Sequence, residues 1–251
     1  MQIGLYQPIN TLKSIGENIW IVDGSEIMFS VYGLKIPFST RMVVIRLYNG
    51  DLFIWSPIAI NEQLKAEIDT LGTVKHLISP NKIHYGFIGN WQTVYPKAIA
   101  WASPGVRKRA KSQNIDVCFD ADLKDFPEPA WANNIDQMIF KGSRYIEEVL
   151  FFHQPSRTLI LADLIENFEL GKIPAKWRTL VNLSGSVDPD GKTPIDLRMT
   201  FIGRKNVALQ SFKRMMAWQP QQVIMAHGRC YPENAEQELY RAFRWLDVEE
   251  E

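Results

Sequence analysis

Two short segments constrain this chain more than any other feature. Leu159-Ile160-Leu161-Ala162 and Val223-Ile224-Met225-Ala226 are wholly apolar, and each runs directly into a polar group, Asp163 and His227. An apolar run of this length reads as a buried strand. A carboxylate at its end must be paired, bound to a metal, or placed where the core opens. Loops at strand ends are where mixed scaffolds carry their working groups. His76, His84, His153 and His227 are the chain's four histidines.

The first third reads as strands. Asn18–Val22 is short and β-rich, closed by Asp23-Gly24, and Met42–Tyr48 and Leu52–Trp55 flank Asn49-Gly50, a hairpin signal. Asn61 caps an expected helix with an apolar stripe of Leu64, Ile68 and Leu71, ended by Gly72. Beyond it strands and helices mix. Strands are expected at Val74–Ser79, Ala98–Ala102, Ile115–Phe119 and Thr158–Ala162, with an antiparallel pair, Gln137–Lys141 and Val149–Phe152, turned near Gly142. Helices are expected at Pro104–Lys111 and Ala208–Trp218. A last helix opens on Asn234, which forms a capping-box pattern with Gln237, and buries Leu239, Ala242, Phe243 and Leu246. Residues 166–200 are irregular and read as a surface insertion. Two packed sheets with helices outside are the expected α/β (α+β) arrangement, in one domain over residues 1–251.

Composition narrows function by exclusion. Lys and Arg number 28 and so do Asp and Glu, so no global field draws nucleic acid. The opening MQIGLYQPINTLKSIG has no basic region followed by an apolar run, and no apolar stretch is long enough to cross a bilayer. Cys118 and Cys230 form no CxxC, which fits reduced thiols and a cytoplasmic setting and gives no support to a redox role. Gly185–Thr193 looks like a phosphate loop at a glance. Its spacing is one residue too long, and Asp188 and Asp190 stand where phosphate would lie.

The order of features resembles the metallo-β-lactamase superfamily: a β-rich start, a polar loop after a strand, His153-x-Pro155-x-x-Thr158, an apolar strand ending in Asp163, and a late strand ending in His227-Gly228. The resemblance runs from Ile15 to about Trp245 and implies a four-layer αββα sandwich. The family's His-x-His-x-Asp-His loop is matched to Pro80–Tyr85, with Pro80 and Lys82 at the leading histidines, His84 at the aspartate and Tyr85 at the last histidine. Its Pro-Gly-His-Thr turn is matched to Pro155–Thr158, with Arg157 at the histidine. Its bridging aspartate is matched to Asp163 and its last histidine to His227.

On that matching the three histidines of one metal position are replaced, while His84, Asp163 and His227, with Tyr85 beside them, remain for at most one zinc- or iron-type ion. Two histidines and a carboxylate form a recognised catalytic zinc set. Lys82 and Arg157 oppose it if they point inward, since a divalent ion about 5 Å from one cation at an effective ε of 20 feels roughly 7 kcal/mol of repulsion. The same two side chains could instead bind a small anionic molecule, or Arg157 could close the cleft by pairing with Asp163. His76 and His153 are expected to be structural. Two functions stay open. One is a hydrolase-like protein with a depleted site that acts on or binds a small anion, an enzyme if one metal is held. The other is a metal-free binding or scaffold protein of the same fold.

Overall fold

The computed structural model describes residues 3–31 and 33–248. Seven strands form one sheet in sequence order: β1 (Lys13–Gly16), β2 (Ile19–Val31), β3 (Leu34–Arg46), β4 (Asp51–Trp55), β5 (Thr73–Ile78), β6 (Ile99–Ala102) and β7 (Ala121–Asp122). The first four are mutually antiparallel, and β4 to β7 are parallel. A second sheet has the order β11 (Gln222–Met225), β10 (Thr158–Leu161), β9 (Glu148–His153), β8 (Ile135–Phe140). Only β10 and β11 are parallel in it.

The alternation of side chains along each strand builds four layers. Val43, Ile45, Phe53 and Trp55 face Val149, Phe151, Ile160 and Ile224 across the gap between the sheets. Met42, Val44, Ile54 and Leu77 face outward onto α1 (Glu62–Leu71), α2 (Ile88–Val94) and α3 (Val106–Ser112). Leu159, Leu161, Val223 and Met225 face the other way, onto α5 (Ile195–Met199), α6 (Lys205–Met216) and α7 (Ala235–Ala242). This explains why Leu159–Ala162 and Val223–Ala226 are apolar throughout: both faces of β10 and β11 are covered. The result is the expected αββα sandwich. Among the described residues no helix is long and apolar enough to cross a membrane.

Local signals mostly worked. Asn61 accepts the Leu64 N–H at 2.8 Å and starts α1 as its spacing implies. At the β3–β4 turn Gly50 has φ +85°, but Asn49 has no positive φ; its side chain accepts the Asp51 N–H at 3.0 Å instead.

Five expectations need correction. β2 does not stop at Asp23-Gly24 but continues past a register shift to Val31, because the hairpin partner β3 begins at Leu34. Residues 115–119 form no strand: Cys118 is tied by its backbone to the Gln92 side chain, and the edge pairing comes later, at β7. Asn234 takes φ +55° and makes no side-chain cap, so the capping box is not formed. Helix α2 had no counterpart in the sequence reading. Finally, the 166–200 segment is not a simple surface insertion. It carries a 3-10 turn at Leu170–Lys172, α4 (Ala175–Ser184) and α5, it is pinned by buried Phe168 and Ile173, and it roofs a cavity.

Candidate functional site

Topology sets which strand ends share one rim. β5, β10 and β11 all deliver their C-terminal ends there, and β9, antiparallel to β10, delivers its start. The loop after β5 is tied to that start by the Val149 N–H, which donates to the Pro80 carbonyl at 2.8 Å. His84, Asp163 and His227 therefore converge, each offering an atom within 4.8 Å of the others. His84 Nε2 lies 3.3 Å from Asp163 Oδ2, and His227 Nε2 lies 3.5 Å from Asp163 Oδ1.

The other ring nitrogens are held from behind. His227 Nδ1 is 2.9 Å from the Ser39 carbonyl, which can only accept, so the proton is on Nδ1. Burial also pushes the imidazole down to about 4, keeping it neutral at pH 7. Its Nε2 thus presents a lone pair to Asp163. His84 Nδ1 is 2.9 Å from Ser56 Oγ. Burial opposes charge on His84, but the Asp163 carboxylate outweighs it and raises the pKa. Asp163 itself is held below the usual carboxylate range: burial works against ionisation, and the His84 charge and contact, then His227 and Asn81, overcome it.

Three polar side chains that the sequence reading missed complete the site. Asn81 is fully buried, and its amide nitrogen donates to Asp163 Oδ2 at 2.6 Å and to Glu148 Oε2 at 2.9 Å. Its oxygen accepts the Ile83 and His84 N–H groups, which fixes the loop. Glu148 opens β9 and accepts the Ala162 and Asp163 N–H groups at 2.7 and 2.8 Å. Burial, and then the Asp163 charge, push its carboxyl up. Glu166 lines the cavity; burial, followed by the charges of Asp163, Asp196 and Glu148, raises it well above the ordinary range. A signal for Glu148 existed: it precedes Val149-Leu150-Phe151-Phe152 as Asp163 follows its own apolar run.

Gly228 is required where it stands. It has φ +91°, and a Cβ there would fall 2.1 Å from the Asn167 carbonyl oxygen. Beside it Arg41 is buried; it donates to Asp23 at 2.8 Å, to the Met225 and Gly228 carbonyls at 2.7 and 2.9 Å, and to Cys230 Sγ at 3.0 Å.

The remaining sequence candidates lie elsewhere or play other parts. Arg157 does not pair with Asp163. Its guanidinium donates to the Gln219 carbonyl at 2.6 Å, at the far end of β10, and six extended residues put about 20 Å between the two positions. Lys82 holds its ammonium 3.7 Å from the centre of the Tyr145 ring and is not among the residues lining the cavity. Tyr85 touches the cavity but packs into the apolar layer with Ile88 and Trp91. His76 accepts from the Trp101 indole at 3.2 Å, and His153 meets Ser156 Oγ at 2.7 Å, both away from the cluster. Cys118 and Cys230 are unpaired, the first exposed and the second half-buried.

Solved structures share this architecture at low identity. The chain superposes on the DIM-1 metallo-β-lactamase exposed to ceftazidime with a TM-score of 0.62 and 13% identity, over 98% of this chain and 99% of that one. The mono-zinc form of the metallo-β-lactamase FIM-1 from Pseudomonas aeruginosa gives 0.58 and 10%, over 98% of both chains. The Flv1 flavodiiron core from Synechocystis gives 0.60 and 11%, over 98% of this chain and 62% of that one. These likenesses make the fold that of the metallo-β-lactamases. No curated protein matches the sequence. The model of the family described as a domain of unknown function, DUF4336, matches residues 16–189, and the chain belongs to that family.

Proposed function

We propose that this protein is a hydrolase-like member of its fold that holds one divalent metal ion through His84 Nε2, the Asp163 carboxylate and His227 Nε2. One observation carries the reading. A neutral imidazole lone pair and an ionised carboxylate oxygen face each other at 3.5 Å, and the imidazole's only proton is engaged by Ser39 on the other side. Two acceptors at that distance repel unless a cation lies between them. The donor set, two nitrogens and one carboxylate with room on the cavity side, suits a catalytic ion of the zinc type. Such an ion supplies Lewis acidity toward a carbonyl and toward water.

The chain's own groups do the rest. Ser39 and Ser56 orient the two imidazoles, as outer partners of metal-binding histidines do. Asn81 keeps Asp163 and Glu148 apart while bonding both, and Glu166 offers a carboxyl to the cavity.

We hold the site to one ion, a depleted form of the two-metal arrangement that the metallo-β-lactamase resemblance implies. Among the described residues no second group of three His, Cys, Asp or Glu side chains gathers. The crystallised mono-zinc form of FIM-1 is compatible with a fold of this kind carrying one ion. The coverage of single lactamase chains supports reading this chain as one domain, and the unpaired thiols support a reducing, cytoplasmic setting.

A metal-free binding protein is the second reading, and one feature favours it: with His84 protonated, the His84–Asp163–Asn81 contacts satisfy one another without an ion. Elemental analysis of protein purified without chelator separates the two. About one equivalent of zinc or iron, lost in His227→Ala, is expected; a metal-free protein from metal-replete medium supports the second reading.

A further inference from the structure

The cavity above the cluster has a volume of about 780 Å³, within the range of small-molecule sites. Its walls are mostly apolar. Phe29, Ile36 and Phe38 of the β2–β3 hairpin form one side, and Leu180 and Leu183 of α4 with Ile195 of α5 form the other. At the mouth the hydrophobic surface is left uncovered: Leu34 is 51% exposed, Leu183 69% and Ile195 48%. Large apolar side chains gathered at a cavity mouth mark a binding surface.

Charge in the cavity runs against an anion. Apart from the site histidines, the only cationic side chain in the lining among the described residues is Arg41, and its donors are engaged by Asp23, two backbone carbonyls and Cys230. Asp163, Glu166 and Asp196 also line the space, so a second carboxylate or phosphate would meet carboxyl groups and no free cation. Lys82 and Arg157, which would have served an anion, lie outside the lining.

We propose that the substrate is an uncharged acyl compound with an aliphatic chain, its carbonyl at His84, Asp163 and His227 and its chain between the β2–β3 hairpin and α4. The chemistry at the carbonyl rests on the single-metal hydrolase reading; the chain-binding cavity does not. Cleavage of an ester there consumes one water. The water oxygen bonds to the acyl carbon, the acyl–oxygen bond breaks, one water proton ends on the leaving alcohol and the other is released from the acid formed.

The test separates the two layers. Calorimetry with chelator-stripped protein and N-methyl amides of four-, six-, eight- and ten-carbon acids reads chain binding alone. Affinity is expected to rise two- to fourfold per added methylene, as burial of each group predicts, and the free carboxylate of equal length is expected to bind at least tenfold more weakly than the amide. Leu183→Asp and Ile195→Asp, both solvent-exposed positions, should flatten the series without lowering the melting temperature. Affinity independent of chain length, or tighter binding of the carboxylates, overturns the inference. A second arm follows cleavage of 4-nitrophenyl acetate and decanoate by zinc-loaded protein. A chain-length gradient in binding with no cleavage upholds the substrate class and contradicts the hydrolase reading. Equal cleavage of both esters with no gradient does the reverse.

Discussion

His227 turns an unprotonated Nε2 toward Asp163 Oδ1 across 3.5 Å, because its single proton is directed to the Ser39 carbonyl behind it. An arrangement of two facing acceptors is costly in a buried setting. On the opposite side of the same carboxylate, Asn81 supplies a donor at 2.6 Å. Asp163 is thus anchored by Asn81 on Oδ2, while its Oδ1 faces His227 Nε2 at 3.5 Å and lies 3.4 Å from His84 Nε2.

Asn81 is the structural joint of the site. Replacing it with Ala removes the donor shared by Glu148 and Asp163 and leaves both carboxyl groups short of a partner in a fully buried position. The expected loss is about 3 kcal/mol of stability. Asn81→Asp should be worse at neutral pH, since it gathers three carboxyl groups, and should partly recover on acidification. Urea unfolding in the presence of chelator at pH 7 and pH 5 checks both. If both variants unfold with the wild type at each pH, the joint is not structural.

Arg157 is predicted to leave the site untouched. It has φ +50° and spends its guanidinium on the Gln219 and Trp218 carbonyls, closing the connection between α6 and β11. Arg157→Ala should cost about 1–2 kcal/mol through those lost bonds and should not change metal content. Arg157→His should not increase zinc affinity, contrary to what the sequence matching implies. A gain in zinc binding by the histidine variant would return Arg157 to the site.

How much of this was legible depends on how local each cause is. The ends of β10 and β11 could be read because an apolar run abutting Asp163 or His227 is a contiguous pattern. The four-layer order came from the resemblance to the metallo-β-lactamases, and the apolar runs agree with it, since runs buried on both faces must be covered twice. The Arg157 assignment failed because a turn motif was matched without knowing which end of β9 and β10 lies at the rim. The antiparallel pairing of Thr158 with His153 places that turn at the opposite end. Glu148 sits beside Glu147 and looks like one of a solvated pair until β9 is laid against β10. The loop register shifts for a similar reason. With His84 facing Asp163 and Tyr85 in the apolar layer, the geometry favours His84 at the signature's last histidine, which puts Ser79 and Asn81 at the leading two and Ile83 at the aspartate.

Acid stability gives an independent check on the buried imidazoles. Burial pushes both His76 and His153 down to about 4. Their folded pKa values lie below the ordinary value near 6.5, so the unfolded chain binds more protons as pH falls below it. Stability is therefore fully present above about pH 6.5 and is lost progressively as pH falls toward 4, by up to about 3 kcal/mol per histidine. Melting curves of the stripped protein from pH 8 to pH 4 should be flat and then fall. His153→Leu should fall less steeply over the same window. Equal slopes for variant and wild type would show that His153 does not contribute to the acid sensitivity.

The most direct measurement is a calorimetric zinc titration of the stripped protein at pH 7.5, alongside His84→Ala, Asp163→Asn and His227→Ala. Removing any one of the three proposed ligands should weaken binding strongly. The predicted result is one tight site in the wild type and a loss of at least tenfold in affinity in each variant. A wild type that binds no zinc, that binds two equivalents tightly, or whose single site survives all three substitutions would contradict the account.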